Sequence, residues 1–296
     1  MMRTIPRLVP KPAWPAVALC LAVNLFVFAA IASRNAEYLR DYRRNEKSDA
    51  RHYVLLGRNY LLKGEYSRCN GPPYAPDVFR TPVYPLFAGA ADHLGNAAAI
   101  YLAQALLQVG SCLVLFHLVR PHFGESAAMW AGLLMASDLT IGISNFEAMS
   151  EPLYLFLNLA GVACLVPVVF QPRERRLMLG RLVAGGALLA AATLTRPVGL
   201  YVPLIFAAVL MSAGAVRRQM GRAAAQCLVL MAVVALPVGG WIVRNSLMFS
   251  VNRLTTADAI MLVYVTGAGA YQVEHDITLE EAQAIIGREH DLPPPV

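Results

Sequence analysis

Long runs without a charged residue recur along this chain, and they decide what it can fold into. Residues 12–33 contain no charge and include the apolar stretch from Val17 to Ile31. Further runs cover about 97–119, 126–144, 152–170, 198–215 and 223–243. A bilayer core takes about 20 apolar residues per helix, and inside it each backbone polar group must be paired within its own segment, which selects helices. Between Arg181 and Arg196 only 14 uncharged residues remain. That is short for a crossing, so this helix is expected to begin near Leu177, Met178 and Leu179 or to sit in a thinned, protein-lined site. The expected fold is an all-α polytopic membrane protein of about seven transmembrane helices, with a large first exported loop containing amphipathic surface helices. Charged residues are 15% of the 296, against about a quarter in soluble domains. A soluble enzyme on one anchor is therefore excluded.

The basic residues give an orientation. Arg3, Arg7 and Lys11 precede the first run, Arg120 follows the second, Arg173, Arg175, Arg176 and Arg181 surround a later turn, and Arg217, Arg218 and Arg222 surround another. Such clusters at alternate connections mark the cytoplasmic side, so the N-terminus is expected inside and the C-terminus outside. The net charge of +6 is then a topology signal, and no nucleic-acid partner is expected. The first run is long for a signal peptide, although Ala30-Ile31-Ala32-Ser33 resembles a processing site; it is read as a retained helix. Either way residues 34–96 are exported. Their ten Lys/Arg break the charge rule, but loops of that length cross largely regardless of charge. Residues 1–245 form one membrane module and 246–296 an exported C-terminal segment. Small residues at Gly185-Gly186, Ala190 to Ala192 and Gly239-Gly240 suit close helix packing.

The chemically rich part is the loop 34–96. Tyr53, Leu56, Tyr60 and Gly64 recur at three- and four-residue intervals, so 49–63 reads as an amphipathic helix along the membrane surface. Ser48 is a fair N-cap. Asp49, in the first turn, either complements the helix dipole or serves as a carboxylate base facing a cavity. Arg80 precedes Thr81-Pro82 and Tyr84-Pro85, whose prolines stiffen the chain. It either snorkels to lipid headgroups or offers paired donors to a phosphate. Ser150, Glu151 and Pro152 make a sound helix start, which leaves Glu151 with a structural or a functional role. Arg196 lies at the exported end of a short helix, where an ionisable group is a functional candidate. Asp138 lies about two turns inside the third span and is expected to be buried and paired. The six histidines are scattered, without HExxH or paired spacing, so a divalent cation has no support in the sequence and no cofactor is expected. Of the five cysteines only Cys69 lies outside an apolar run, and no CxxC pattern occurs. No Gly-rich nucleotide loop is present.

Taken in order, Asp49-Ala50-x-x-Tyr53, Gly64-Glu65-Tyr66-Ser67, Arg80-Thr81-Pro82-Val83-Tyr84-Pro85-Leu86-Phe87, Ser150-Glu151-Pro152-Leu153, Leu194-Thr195-Arg196-Pro197 and Trp241-x-x-Arg244-Asn245 resemble the membrane-embedded glycosyltransferases of the GT-C fold. The likeness is to their protein mannosyltransferase and aminoarabinose transferase group, and it covers about residues 13–266. It implies a transferase that moves a hexose or pentose from a polyprenyl-phosphate donor to an acceptor on the exported face, periplasmic or lumenal. It also implies inversion and one carboxylate base: Asp49 as base, Arg80 and Arg196 on the phosphate, and Glu151, Tyr53 and His52 contacting substrate. Two departures stand out. The candidate second acids, Asp41 and Glu46, are separated from Asp49. The chain also stops without an eighth span, as a minimal or truncated form or one whose acceptor site a partner protein completes. The rival from another class is a non-catalytic scaffold or transport subunit of the same fold. A transporter calls for polar residues near the bilayer midplane, whereas here most lie at one interface. No residue pattern specifies the sugar or the acceptor.

Overall fold

The computed structural model describes residues 13–40, 49–170 and 175–289. Ser48, Asp41 and Glu46 lie outside them. Every regular element among the described residues is helical: α1 Trp14–Arg40, α2 Asp49–Lys63, α3 Val83–Ala136, α4 Leu139–Phe146, α5 Glu151–Phe170 and α6 Arg175–Thr193. A 3₁₀ turn, Pro197–Leu200, leads into α7 Tyr201–Val216 and α8 Met220–Phe249. After them come α9 Ala257–Ile260, a π-helical turn Met261–Gly267, α10 Ala268–His275 and α11 Leu279–Glu289. Six of these helices are long and apolar enough to cross a membrane. The protein is an all-α, multi-pass membrane protein.

One of the six, α3, carries more than one pass. Its 54 residues would extend about 80 Å at 1.5 Å per residue, far beyond a core of about 30 Å. The backbone leaves helical geometry at Gly95 and Asn96, and again at Gly124, where φ is +84°. Only glycine takes that conformation without strain. At Gly124 the chain turns back: a methyl at Gly132 would lie 3.8 Å from the Cys112 carbonyl, and Gln104 Nε2 donates to the carbonyls of Ser144 at 2.8 Å and Asn145 at 3.3 Å. Residues 97–123 and 125–146 are thus two antiparallel passes, which brings the crossings to seven.

The third pass is interrupted at Asp138. This carboxylate is exposed and accepts from the backbone N–H of Thr140 at 2.9 Å and Ile141 at 3.2 Å, capping α4. The expectation of a buried, paired Asp138 is therefore corrected. An N-cap oxygen meets orphan donors of the helix, so the group needs no counter-ion.

Before its break at Gly95, the first turns of α3 pack against α2. A methyl at Gly57 would collide with the Pro85 carbonyl oxygen, and one at Gly89 would lie 2.6 Å from Gly57 Cα. The helices touch backbone to backbone at this pair of glycines. The buried face of α2 is Ala50, Tyr53, Val54, Leu56 and Gly57. Tyr60, expected on that face, is exposed, and Gly64, at φ +75°, ends the helix. Gly161 and Gly185 likewise bring α5 against α6, whereas Gly239 and Gly240 face open space and join no helix contact.

The two larger apolar cores among the described residues follow from this packing. Val27, Tyr53, Val54, Tyr84, Ala88, Ile100, Phe146 and Leu153 join α1 to α5, and Leu165, Leu182, Leu189, Leu210, Leu230 and Val234 join α5 to α8. Inside the first bundle a polar cluster holds three passes together. Asn24 donates to Gln108 Oε1 at 2.9 Å, and Asn145 donates to Asn24 Oδ1 at 2.7 Å and to Gln108 Oε1 at 2.6 Å.

The two kinds of glycine predict opposite responses. Gly57→Ala forces backbone apart and should cost about 1–3 kcal/mol. Gly239→Ala should be neutral or mildly stabilising, since alanine is the better helix former by up to about 1 kcal/mol. Thermal unfolding of both variants in detergent checks this: a lowered midpoint for Gly57→Ala alone is expected.

Candidate functional site

Two carboxylate–arginine pairs lie at one end of the bundle. In the first, Asp49 at the start of α2 pairs with Arg80. Arg80 Nη1 also donates to Tyr53 Oη at 3.1 Å, and its guanidinium stacks on the rings of Tyr53 and Phe79, 4.8 and 4.6 Å from their centroids. In the second, Arg196 Nη1 lies 2.5 Å from Glu151 Oε1 and donates to Ser150 Oγ at 3.3 Å. Ser150 also lies near enough to Tyr53 to lower the pKa of its hydroxyl against the effect of burial, so one serine and one tyrosine stand between the pairs. All four charged side chains keep some exposure: Asp49 37%, Arg80 13%, Glu151 30% and Arg196 38%.

Loop one is held in place by contacts that its sequence does not advertise. Asp77, buried, accepts from the backbone N–H of Phe79 at 2.8 Å and Arg80 at 3.2 Å and pairs with Arg68. Tyr66 Oη donates to the carbonyls of Arg80 and Thr81 at 3.0 and 3.1 Å. From α8, Arg244 Nη1 donates to the Asp77 carbonyl at 2.6 Å and lies over Trp241, 4.7 Å from its centroid. Thr81 Oγ1 donates to the Thr195 carbonyl at 3.0 Å, and Val83 N–H to the Leu194 carbonyl at 3.0 Å. These last two bonds set Arg80 beside Arg196, 116 residues apart in sequence.

Three polar atoms here are buried without a hydrogen-bond partner among the described residues: Arg80 Nε, Glu151 Oε2 and His52 Nδ1. Buried polar atoms in folded proteins are nearly always paired, so these mark a place where a ligand can complete the bonding. His52 lines a cavity of about 460 Å³ with Arg51, Arg68, Cys69, Asn70 and Asp77, one helical turn from Asp49. Burial, aided by the charges of Arg68 and Arg80, lowers the His52 pKa, and burial raises that of Tyr53. Glu147, also at this end, has its carboxyl pKa raised by burial and then by Glu151.

All six residues singled out in the sequence, Asp49, His52, Tyr53, Arg80, Glu151 and Arg196, fall at this end of the bundle. Sequence reasoning missed Asp77, Arg68, Ser150 between the pairs, and Glu147. It quoted Arg244 within Trp241-x-x-Arg244-Asn245 without a role. The periodicity of 49–63 carries no trace of Asp77, whose importance comes from burial alone. No group of three or more His, Cys, Asp or Glu that could hold a metal occurs among the described residues.

The sequence profile of the family described as dolichyl-phosphate-mannose-protein mannosyltransferase matches residues 80–241, more than half of the chain. The chain belongs to that family. It is therefore a membrane glycosyltransferase that uses a lipid-linked sugar donor. The mannosyltransferase match begins at Arg80 and takes in Glu151, Arg196 and Trp241, while Asp49, His52 and Tyr53 precede it. No curated protein and no solved structure matches the chain.

His52 gives this end a pH signature. A histidine whose folded pKa lies below the ordinary 6.5 binds its proton more readily in the unfolded chain. Stability is then full above about 6.5 and falls as pH drops from there through the folded pKa. His52→Gln should flatten that part of the stability–pH curve, measurable by thermal unfolding at a series of pH values.

Proposed function

We propose that the protein transfers a sugar from a polyprenyl-phosphate donor to a hydroxyl acceptor on the exported side of the membrane, with inversion at the anomeric carbon and Asp49 as the single base. The observation that carries this reading is that the Asp49–Arg80 and Glu151–Arg196 pairs lie at one end of the bundle, Arg80 bonded to Tyr53 and Arg196 to Ser150. A phosphate that accepts from Arg80 and Arg196 replaces Asp49 as the partner of Arg80. That exchange frees Asp49 while adding charge-assisted bonds to the donor. The unpartnered Arg80 Nε offers a further donor.

The acceptor hydroxyl then gives its proton to Asp49, and its oxygen attacks the anomeric carbon. The bond from that carbon to the phosphate oxygen breaks on the opposite side, and the lipid phosphate leaves with the electron pair. Because a phosphate is already a good leaving group, one base is enough; glycosidases that expel an alcohol need a protonated second carboxyl. The arginines stabilise the charge that collects on the departing phosphate. Glu151 orients Arg196, and Tyr53 fixes the Arg80 plane. His52, kept neutral, accepts from or donates to the acceptor. The Arg-rich ends of α6, α7 and α8 support a cytoplasmic opposite face, which directs the site to the periplasm or lumen. A partner protein that roofs the site after α8 belongs to the same reading.

Asp49→Asn should lower transfer by at least about 100-fold with folding intact, because the amide cannot take the proton; near-normal transfer would sink the mechanism. Arg80→Ala should weaken donor affinity more than acceptor affinity. Titrating each substrate separately against purified protein in lipid nanodiscs reads the difference, and unchanged donor affinity would count against a phosphate contact.

A further inference from the structure

At the membrane face opposite Asp49, the cleft between α6 and α8 holds about 590 Å³. Thr193 ends α6 beside the site, so Met178, near its other end, marks the far face. Met178, Leu179, Leu182 and Val229 line the cleft with Arg222 and Gln226, and an adjoining space shares Met178, Arg222 and Gln226 and adds Arg217. The result is an apolar trough with two guanidinium groups at one end of it.

Among the described residues those arginines have no counter-ion. Arg222 donates to Met178 Sδ at 2.8 Å. The sequence from Arg175 to Ala257 contains no Asp or Glu, so α6, α7 and α8 have none to offer; Glu174, just before α6, lies outside the described residues. Arg222 also sits in the first turn of α8, where the helix dipole disfavours a cation and favours an anion. Exposed cations beside an apolar trough, at the basic end of α6, α7 and α8, match a phosphate attached to acyl chains.

We propose that the α6–α8 cleft binds an anionic phospholipid of the adjacent leaflet, with its phosphate accepting from Arg217 and Arg222 and an acyl chain along Leu179, Leu182 and Val229. Such a lipid would hold α6 and α8 together on the side away from the chemistry. A volume of this size lies in the range of ordinary ligand pockets. The site is independent of the transfer reaction, and its failure would leave the Asp49 mechanism untouched.

The test uses the full chain, purified and delipidated, with native mass spectrometry of bound lipid. Phosphatidylglycerol is expected to bind on the order of tenfold more tightly than phosphatidylcholine of the same chains, from two basic contacts. An Arg217→Gln/Arg222→Gln double variant should bring the two lipids to parity, and Leu179→Trp, which fills the trough from an exposed position, should lower binding of both. Equal affinities in the wild-type protein would overturn the proposal, as would a preference unchanged in the double variant. Loss with the arginine variant but full lipid binding by Leu179→Trp, together with displacement by inorganic phosphate, would mean a free-anion site and also overturn it. Leu179→Trp keeps the site testable if the double arginine variant fails to fold.

Discussion

Two backbone carbonyls at the end of α6 hold the molecule's two halves in register. Leu194 and Thr195 accept from Val83 N–H and Thr81 Oγ1, so the return of loop one is fastened to the end of a transmembrane helix. Both carbonyls lie in the turn just past Thr193, the last residue of α6; a long polar loop finds its anchor where the helix end has bonds to give. With this seam in place, Arg80 and Arg196 are neighbours. Without it each arginine is a surface cation with a nearby acid, an arrangement of little consequence.

Loop one needs more than the seam, because a polar segment of this length must otherwise order itself at large entropic cost. Asp77 turns the chain by accepting from two backbone donors and one arginine, and Arg244 and Tyr66 close over it from either side. The tail continues this work: Thr255 donates to the Phe79 carbonyl, and Trp241 Nε1 reaches the Leu254 carbonyl at 3.0 Å. The segment after α8 is thus part of the scaffold of loop one. Dividing the chain at residue 245 separates groups that are hydrogen-bonded to each other.

The spans were legible because a bilayer sets a length and forbids charge, and both are visible in a single sequence. Even the short fifth helix starts where expected, near Leu177, in α6. The helix over 49–63 and its end at Lys63 were legible, yet its buried face was only half right. Tyr53 and Leu56 are inside, but the close approach is made by Gly57, which has no side chain to enter a periodicity. Asp138 was misread because a carboxylate in an apolar run signals cost, and the sequence does not say that the helix breaks there to use it. The Asn24–Gln108–Asn145 cluster was invisible for a different reason. Each residue is a lone amide in a long apolar run, and they become one group only after Gly124 folds two passes together. Ser150 and Thr195 share that limitation, since their partners are distant in sequence.

Burial sorts the charged pairs by what can exchange. Asp77 is 5% exposed, and removing a partner from a buried pair costs about 3–5 kcal/mol; the Asp77–Arg68 pair is therefore a fixture. Asp49 and Glu151 keep about a third of their surface in contact with solvent, where ion pairs contribute about 0–1 kcal/mol and can be traded for a better partner. A phosphate brings more acceptor oxygens and more charge than a carboxylate, and it meets Arg80 already oriented by Tyr53 and Phe79. On the proposed mechanism this difference is the means of activation: the rigid pair holds the arginine still, and the exchangeable pair lets the donor release the base.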